Sequence, residues 1–535
     1  MQNDYKISEN NAEVKDCENA LAYIEVIISY FRGGLNQLKT ESLLTKDNLI
    51  TTPFIEPDEL KEQFKEAKVP ALPIRYQDYM PTLHERVFTY LVNISSPKFI
   101  GHMTSVLPDF THDLSRLVSM LNQNVVKIET SKSLTFLERE AIAMMHNSFY
   151  NQDEAFYAQH VQNSMSTLGI IVSNGTLANI TALWVARNEA FPANNTFRGV
   201  AEEGLDAALK HYDYLDSIVL VSPLLHYSFE KAASLLGIGK KCIHYLALTA
   251  DGIVDIVELV KCITNCRKEK KYIIAIIGIA GSTETGSIDP LAEMGKIANE
   301  FGIYFHVDAA FGGSLMLSDK HKQLLTGIER ANSITVCGHK QLYLPMGTSL
   351  CLFLDPKMAS TIYTIADYQS TLESFDFGKV SLEGSRPATS LLLHVNLHLF
   401  GKKGYEYLID VCMENAQYLR NCIIKNDAFE LVTEPHINIV NYRYIPRKFR
   451  KKVLAGNLLA KDNLLIDEVN SLLQTRQFKQ GRTFVSKTSI PSSKYQTEIL
   501  TLRSVLLNPL TTIRDIDEVL NNQLEIAYDI ENEKK

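Results

Sequence analysis

Beyond about residue 90 the chain alternates apolar, β-branched runs with stretches of helical periodicity. GIIVSNGTLANITALWVARNEAF (169–191) reads as a short buried strand, a turn at Ser173-Asn174-Gly175-Thr176 and a helix. SIVLVSPLLHYSFEKAASLLGI (217–238) repeats that order. YIIAIIGIAGSTETGSIDPL (272–291), YFHVDAAFGGSL (304–315) and SITVCGHKQLYLPMG (333–347) each carry a buried run into polar residues, and TSLCLFL (348–354) adds a strand. Strands apolar on both faces, spaced by helices, predict a mainly parallel sheet covered on both sides. Ligands of such sheets sit at the carboxyl ends of the strands, where the polar residues fall.

The flanks read differently. Leu21, Ile24, Val26, Ile27, Ile28 and Phe31 predict a helix stopped by Gly33-Gly34, an arm suited to packing on its own domain or on a partner subunit. Residues 51–73, dotted with proline, read as a connector. The segments 99–110 and 121–130 read as loops near a pocket, followed by a helix from Thr135 to Tyr150. An irregular stretch at 356–384 is long enough to be a functional loop. Helices near 388–400, 404–424 and 462–476 are expected, with strands near 428–434, 437–443 and 501–507 and a closing helix from Thr512 to Tyr528. The expected organisation is an arm (1–90), a large α/β domain (91–385) and a small C-terminal α+β domain (386–535).

A length of 535 residues allows such a multi-domain chain, and a net charge of -8 argues against nucleic acid as a partner. The eight cysteines follow no disulfide-framework spacing. Cys262 and Cys266 have no second pair to complete a zinc site, so no metal is expected. The opening residues lack a basic-then-apolar signal and no apolar run reaches membrane-span length, so no membrane partner and a reducing cytoplasm are expected.

The strand ends supply five chemical parts. Lys340 follows a buried strand, where stranding an ammonium is costly but an amine that attacks a carbonyl is well placed. Asp308 follows buried residues and needs a cationic or hydrogen-bonded partner, and Ala309-Ala310 leave room for something planar. Asn174, Gly175 and Thr176 open a helix whose N-terminus suits a phosphate, with His339 as a second donor. His226 could stack on an aromatic ring. Singly, each has a plainer reading: an N-cap at Asn174, a core or surface histidine, a solvated His-Lys pair. Together they match one ligand, pyridoxal 5'-phosphate, whose aldehyde takes a lysine, ring nitrogen a carboxylate, and phosphate a helix start.

SNGTLAN, HYSFEKAASLLGIG, AGSTETGSIDP, HVDAAFGG and GHK resemble the landmarks of the group II pyridoxal-phosphate-dependent amino-acid decarboxylases, over about residues 90 to 528. GHMTSVLP, LNQNVVKIETSK, SLEGSRP and QFKQGRTFVSKTS are similar to the bacterial pyridoxal-dependent aspartate 1-decarboxylases. The resemblance implies fold type I, a homodimer, and decarboxylation of an acidic L-amino acid, with aspartate to β-alanine first and glutamate or cysteine sulfinate as alternatives. It implies that Lys340 holds the cofactor's aldehyde, His226 stacks on its ring, Ala310 lines the other face and Asp308 pairs with its nitrogen. Asn174, Gly175, Thr176 and His339 would hold phosphate, with Ser282 or Thr283 beside the 3-hydroxyl. Arg503 would take a substrate carboxylate, and His102, Thr104, Asn122 and Asn124 would lie near the substrate side chain. Two departures stand out. Cys337 replaces the usual acidic or asparagine residue three before the lysine. Phe375 falls where glutamate decarboxylases place a proton-donating tyrosine, leaving Tyr363, Tyr368, His226 or water, or else a side reaction such as oxidative deamination.

Overall fold

The computed structural model describes residues 23–31, 55–365 and 373–533. Internal contacts divide the chain into two units, one of residues 110–409 and one joining the residues up to 109 with those from 410 onward. These limits stand beside the expected divisions after residues 90 and 385. Within the N-terminal stretch, residues 23–31 are helical with Ile27 and Phe31 buried, while Leu21 and Gly33-Gly34 lie outside the described residues. The stretch read as a connector contains a short helix, Pro57–Gln63, started by its proline.

Residues 110–409 are built on a seven-stranded sheet. Its strands are β1 (Gly169–Val172), β2 (Asp216–Val221), β3 (Ile243–Tyr245), β4 (Lys271–Ile279), β5 (Tyr304–Asp308), β6 (Ser333–Cys337) and β7 (Ser349–Phe353), in the order β1-β7-β6-β5-β4-β2-β3. The β3–β2, β2–β4, β4–β5 and β5–β6 pairings are parallel, and β7 alone runs against its neighbours β1 and β6. The sheet is thus mainly parallel, as the patterning requires, and the carboxyl ends of β1, β2, β4, β5 and β6 share one edge. The three-residue β3 escaped expectation because two of its residues are exposed and it is too short to show a period. Ile180, Leu183 and Phe229 from helices, with Val219, Ala275 and Ile277 from strands, form the core on one side of this sheet.

The second unit carries the antiparallel sheet β10-β11-β9-β8: β8 (Phe429–Thr433), β9 (Ile439–Tyr444), β10 (Ser486–Ser492) and β11 (Thr497–Val505). Helices Ala460–Gln480 and Ile513–Glu533 contribute Leu473, Ile516 and Ile530 to a core with Tyr442 and Leu502. β10 and the helix Arg447–Leu454 were not anticipated; SKTSIPS is polar and proline-bearing, and RKFRKKVL is mostly charge. The two helices expected at 388–400 and 404–424 appear as Ser390–Lys425, broken at Gly401 by a backbone φ of 56° that glycine adopts readily.

SLEGSRP is fixed from below. Arg386 and Glu138, at 3% and 0% side-chain exposure, form a two-pronged ion pair, one arm of which measures 2.9 Å. Removing one partner leaves an uncompensated buried charge. Arg386→Ala is expected to destabilise the fold by about 3–5 kcal/mol in urea unfolding; a change below about 1 kcal/mol would place the pair outside the cooperative core.

Candidate active site

Five strand ends converge on one cavity of about 530 Å³. Its lining includes all ten residues expected to hold a cofactor: Asn174, Gly175, Thr176, His226, Ser282, Thr283, Asp308, Ala310, His339 and Lys340. Each arrives by the same local logic, a buried β-branched run that delivers the chain to the sheet edge and then turns polar.

After β1, Asn174 caps the helix Gly175–Ala190 by accepting the Leu177 N–H at 3.0 Å. The first-turn N–H groups of this helix have no intrahelical acceptor, and they open onto the cavity edge. A methyl group at Gly175 would lie 2.6 Å from Cys337 Sγ, so only glycine lets the helix start seat against the end of β6. After β4, Ser282 ties its own turn: its hydroxyl takes the Thr285 and Ser287 N–H groups at 3.3 and 3.2 Å. After β6, His339 and Lys340 are half-buried, and the Lys340 ammonium lies 5.9 Å from the centre of the Phe311 ring. Burial pushes the Cys337 thiol upward, with Lys340 partly opposing, so this side chain stays neutral beside the lysine.

Asp308 ends β5 with each carboxylate oxygen accepting one hydrogen bond from the chain. Oδ1 accepts the Ala310 N–H at 3.1 Å and Oδ2 accepts Asn179 Nδ2 at 3.0 Å. Asn179 also lines the cavity, as do Leu177, Leu224, Tyr227, Ile279, Gly281 and Cys337. Sequence reasoning missed Asn179, although an asparagine among the buried positions of an apolar helix face signals a partner to be found. It missed His306 too, two residues before Asp308 on the same strand face and 3.4 Å from Asn179 Oδ1.

The expected substrate residues are placed separately. Asn122 and Asn124 belong to the unit that contains the cavity but not to its lining; Asn124 Oδ1 accepts the backbone N–H groups of Val126 and Arg386, both at 3.3 Å. His102, Thr104 and Arg503 belong to the other unit. His102 Nδ1 is 2.9 Å from Thr104 Oγ1, and Arg503 donates to Ser486 Oγ at 3.0 Å and to the Gly101 carbonyl at 3.4 Å. Of the loop aromatics, Tyr363 holds its hydroxyl 2.9 Å from Thr167 Oγ1. The Phe375 ring packs edge-on against Phe136 with the Arg139 guanidinium 5.6 Å from its centre. Tyr368 lies outside the described residues. Among the described residues no cluster of metal-binding side chains occurs, and no helix is long and apolar enough to cross a membrane.

An amine, a pinned carboxylate, an imidazole and a helix N-terminus around one cavity on a mainly parallel sheet define a pyridoxal-phosphate protein of fold type I. The model of the pyridoxal-dependent decarboxylase conserved domain matches residues 57–445. The chain is 38% identical to aspartate 1-decarboxylase of Aliivibrio fischeri over 95% of its length and 92% of that protein's. It is 28% identical to L-aspartate decarboxylase dtxS4 of Metarhizium robertsii, over 74% of this chain and 75% of that one. A crystal structure of mouse CSAD superposes with a TM-score of 0.77 at 23% identity, covering 89% of this chain and 93% of that one. The chain belongs to the pyridoxal-dependent decarboxylase family.

Burial lowers the His306 pKa from its ordinary 6.5 to about 4, partly offset by Asp308. Folded His306 therefore stays neutral where the unfolded chain binds a proton, and its contribution to stability is lost as pH falls from about 6.5 toward 4. Urea midpoints are expected to drop across that window, more shallowly in His306→Gln; identical slopes would contradict the assignment.

Proposed function

We propose that this pyridoxal-dependent decarboxylase removes the α-carboxylate of a small acidic L-amino acid, converting L-aspartate to β-alanine and CO₂. The observation that carries the reading is the meeting of Lys340 and Asp308 in one cavity with a helix N-terminus and His226. The aspartate preference is supported by the 38% identity to a protein named aspartate 1-decarboxylase.

Bound cofactor supplies an electron sink for the pair released when the Cα–carboxylate bond breaks. Lys340 would hold its aldehyde end, and Asp308, braced by Asn179 and Ala310, would keep its ring nitrogen protonated. His226 and Ala310 would hold the ring. Asn174, Gly175, Thr176 and His339 would hold the phosphate, with Ser282 or Thr283 beside the 3-hydroxyl. Arg503 would take a substrate carboxylate, and His102, Thr104, Asn122 and Asn124 would lie near the substrate's side chain. A loop around 360–384 that would close over the site and exclude water belongs to the same proposal; its residues 366–372 lie outside the described residues.

The three-part organisation of arm, large domain and small domain belongs to this reading, as do a cytoplasmic location, a role supplying β-alanine for pantothenate and a homodimer. The homodimer is supported by the apolar side chains of Val69, Leu72, Ile74 and Tyr76, between 61% and 92% exposed on one short stretch. Light scattering is expected to give twice the 60.3 kDa chain mass, and Val69→Asp with Leu72→Asp to raise the monomer fraction. A monomeric parent protein would end that part of the proposal.

A second reading rests on Phe375 and Tyr363, whose ring and hydroxyl are engaged with Arg139 and with Thr167. If neither Tyr368 nor another group returned the proton, the same site would decarboxylate the substrate and consume dioxygen and water, releasing CO₂, aldehyde, ammonia and hydrogen peroxide. Incubation with pyridoxal phosphate and aspartate, glutamate or cysteine sulfinate, followed by assay of amine, CO₂, aldehyde and peroxide, separates the readings. β-Alanine and CO₂ from aspartate support the first; aldehyde and peroxide as main products support the second. Lys340→Ala is expected to lose the visible absorbance of the lysine-held cofactor and to abolish turnover. Retained turnover would remove Lys340 from its role.

A further inference from the structure

Along the cavity wall, a directed series of hydrogen bonds joins the carboxylate of Asp308 to the imidazole of His226. A carboxylate only accepts, so Asn179 must present its amide nitrogen to Asp308, at 3.0 Å, and not its oxygen. The second hydrogen on that nitrogen points to Ser228 Oγ at 2.9 Å. The amide oxygen is thereby turned to His306 Nε2 at 3.4 Å, whose other nitrogen faces Ser333 Oγ at 2.8 Å. Ser228, already accepting from Asn179, has one hydroxyl hydrogen left, and its nearest acceptor is His226 Nδ1 at 2.8 Å. The backbone N–H of Ser228 donates to the same nitrogen at 3.3 Å.

A ring nitrogen that accepts from two donors carries no proton, so the hydrogen of a neutral imidazole must sit on Nε2. We infer that Asn179 and Ser228 are positioning residues: anchored on Asp308, they fix His226 in the Nε2–H tautomer and present the cavity with a neutral N–H donor for an anionic oxygen of the substrate. The arrangement couples two groups assigned to opposite parts of the cofactor, since the carboxylate that meets the ring nitrogen also orients the histidine over the ring. Burial independently favours the neutral ring by lowering the His226 pKa, with Asp308 opposing and Lys340 and Lys231 adding to the effect. Ser228 and Asn179 are themselves almost inaccessible, at 0% and 1% exposure.

The assignment is tested on the pyridoxal-phosphate-loaded enzyme by ¹⁵N NMR of ring-labelled histidine, with the His226 signals identified from their loss in His226→Gln. The expected spectrum at neutral pH shows a protonated Nε2 and an unprotonated Nδ1. A protonated Nδ1, alone or with Nε2, overturns the inference, and the wild-type spectrum suffices to decide it. Ser228→Ala is expected to mix the two tautomers and to lower kcat roughly tenfold or more with KM little changed. Ser228→Thr, which keeps a hydroxyl, is expected to restore the tautomer and most of the lost turnover. An unmixed tautomer in Ser228→Ala, or a threonine variant that behaves like alanine, also contradicts it. The spectrum needs no substrate, so it stands or falls separately from the aspartate decarboxylase reading on which the kinetic arm rests.

Discussion

A carboxylate at the end of a buried strand is the constraint to which the rest of the site is fitted. Asp308 is 7% exposed, and a charge so placed must be matched on every side. The chain supplies two donors of its own, the Ala310 N–H and the Asn179 amide, both from residues that line the cavity. The remaining acceptor capacity faces the cavity, where a protonated ring nitrogen would complete it. The cost of burying Asp308 is therefore offset only partly by the polypeptide, and the balance favours binding a cationic heteroaromatic ring at that spot.

The sheet makes this arrangement possible. β5 lies between β4 and β6, with Asp308 beside Ile279 on one side and Thr335 on the other. Parallel neighbours carry their carboxyl ends to the same edge, so Ser282, Asp308 and Lys340 are brought together by register. The helix behind β1 adds its N-terminus at the same edge because Gly175 permits close approach to Cys337. Loops then need only short turns to complete the site, and the rigid edge holds the carboxylate and the amine apart at a fixed span.

Much of this was legible in the chain itself. Runs such as YIIAIIGI and SITVC announce buried parallel strands, and the polar residues that follow mark the edge where a ligand binds. All ten residues read as cofactor contacts line one cavity. Asn179, Ser228 and His306 were not legible, because these side chains acquire meaning only when helix and strand pack together. β3, β10 and the Arg447–Leu454 helix were missed for a different reason: they are short, polar or half-exposed, and carry no hydrophobic period. The residues read as substrate contacts, His102 and Arg503 among them, lie in segments whose local pattern fixes a strand or loop without fixing what it faces.

The most direct test of the central claim is chemical trapping of the cofactor in the intact enzyme. Borohydride reduction of the pyridoxal-phosphate-loaded protein, followed by proteolysis and mass-spectrometric mapping, is expected to find the reduced cofactor on the peptide containing His339 and Lys340, attached at Lys340. Attachment at any other lysine, or no covalent attachment in protein that turns over, would contradict the account.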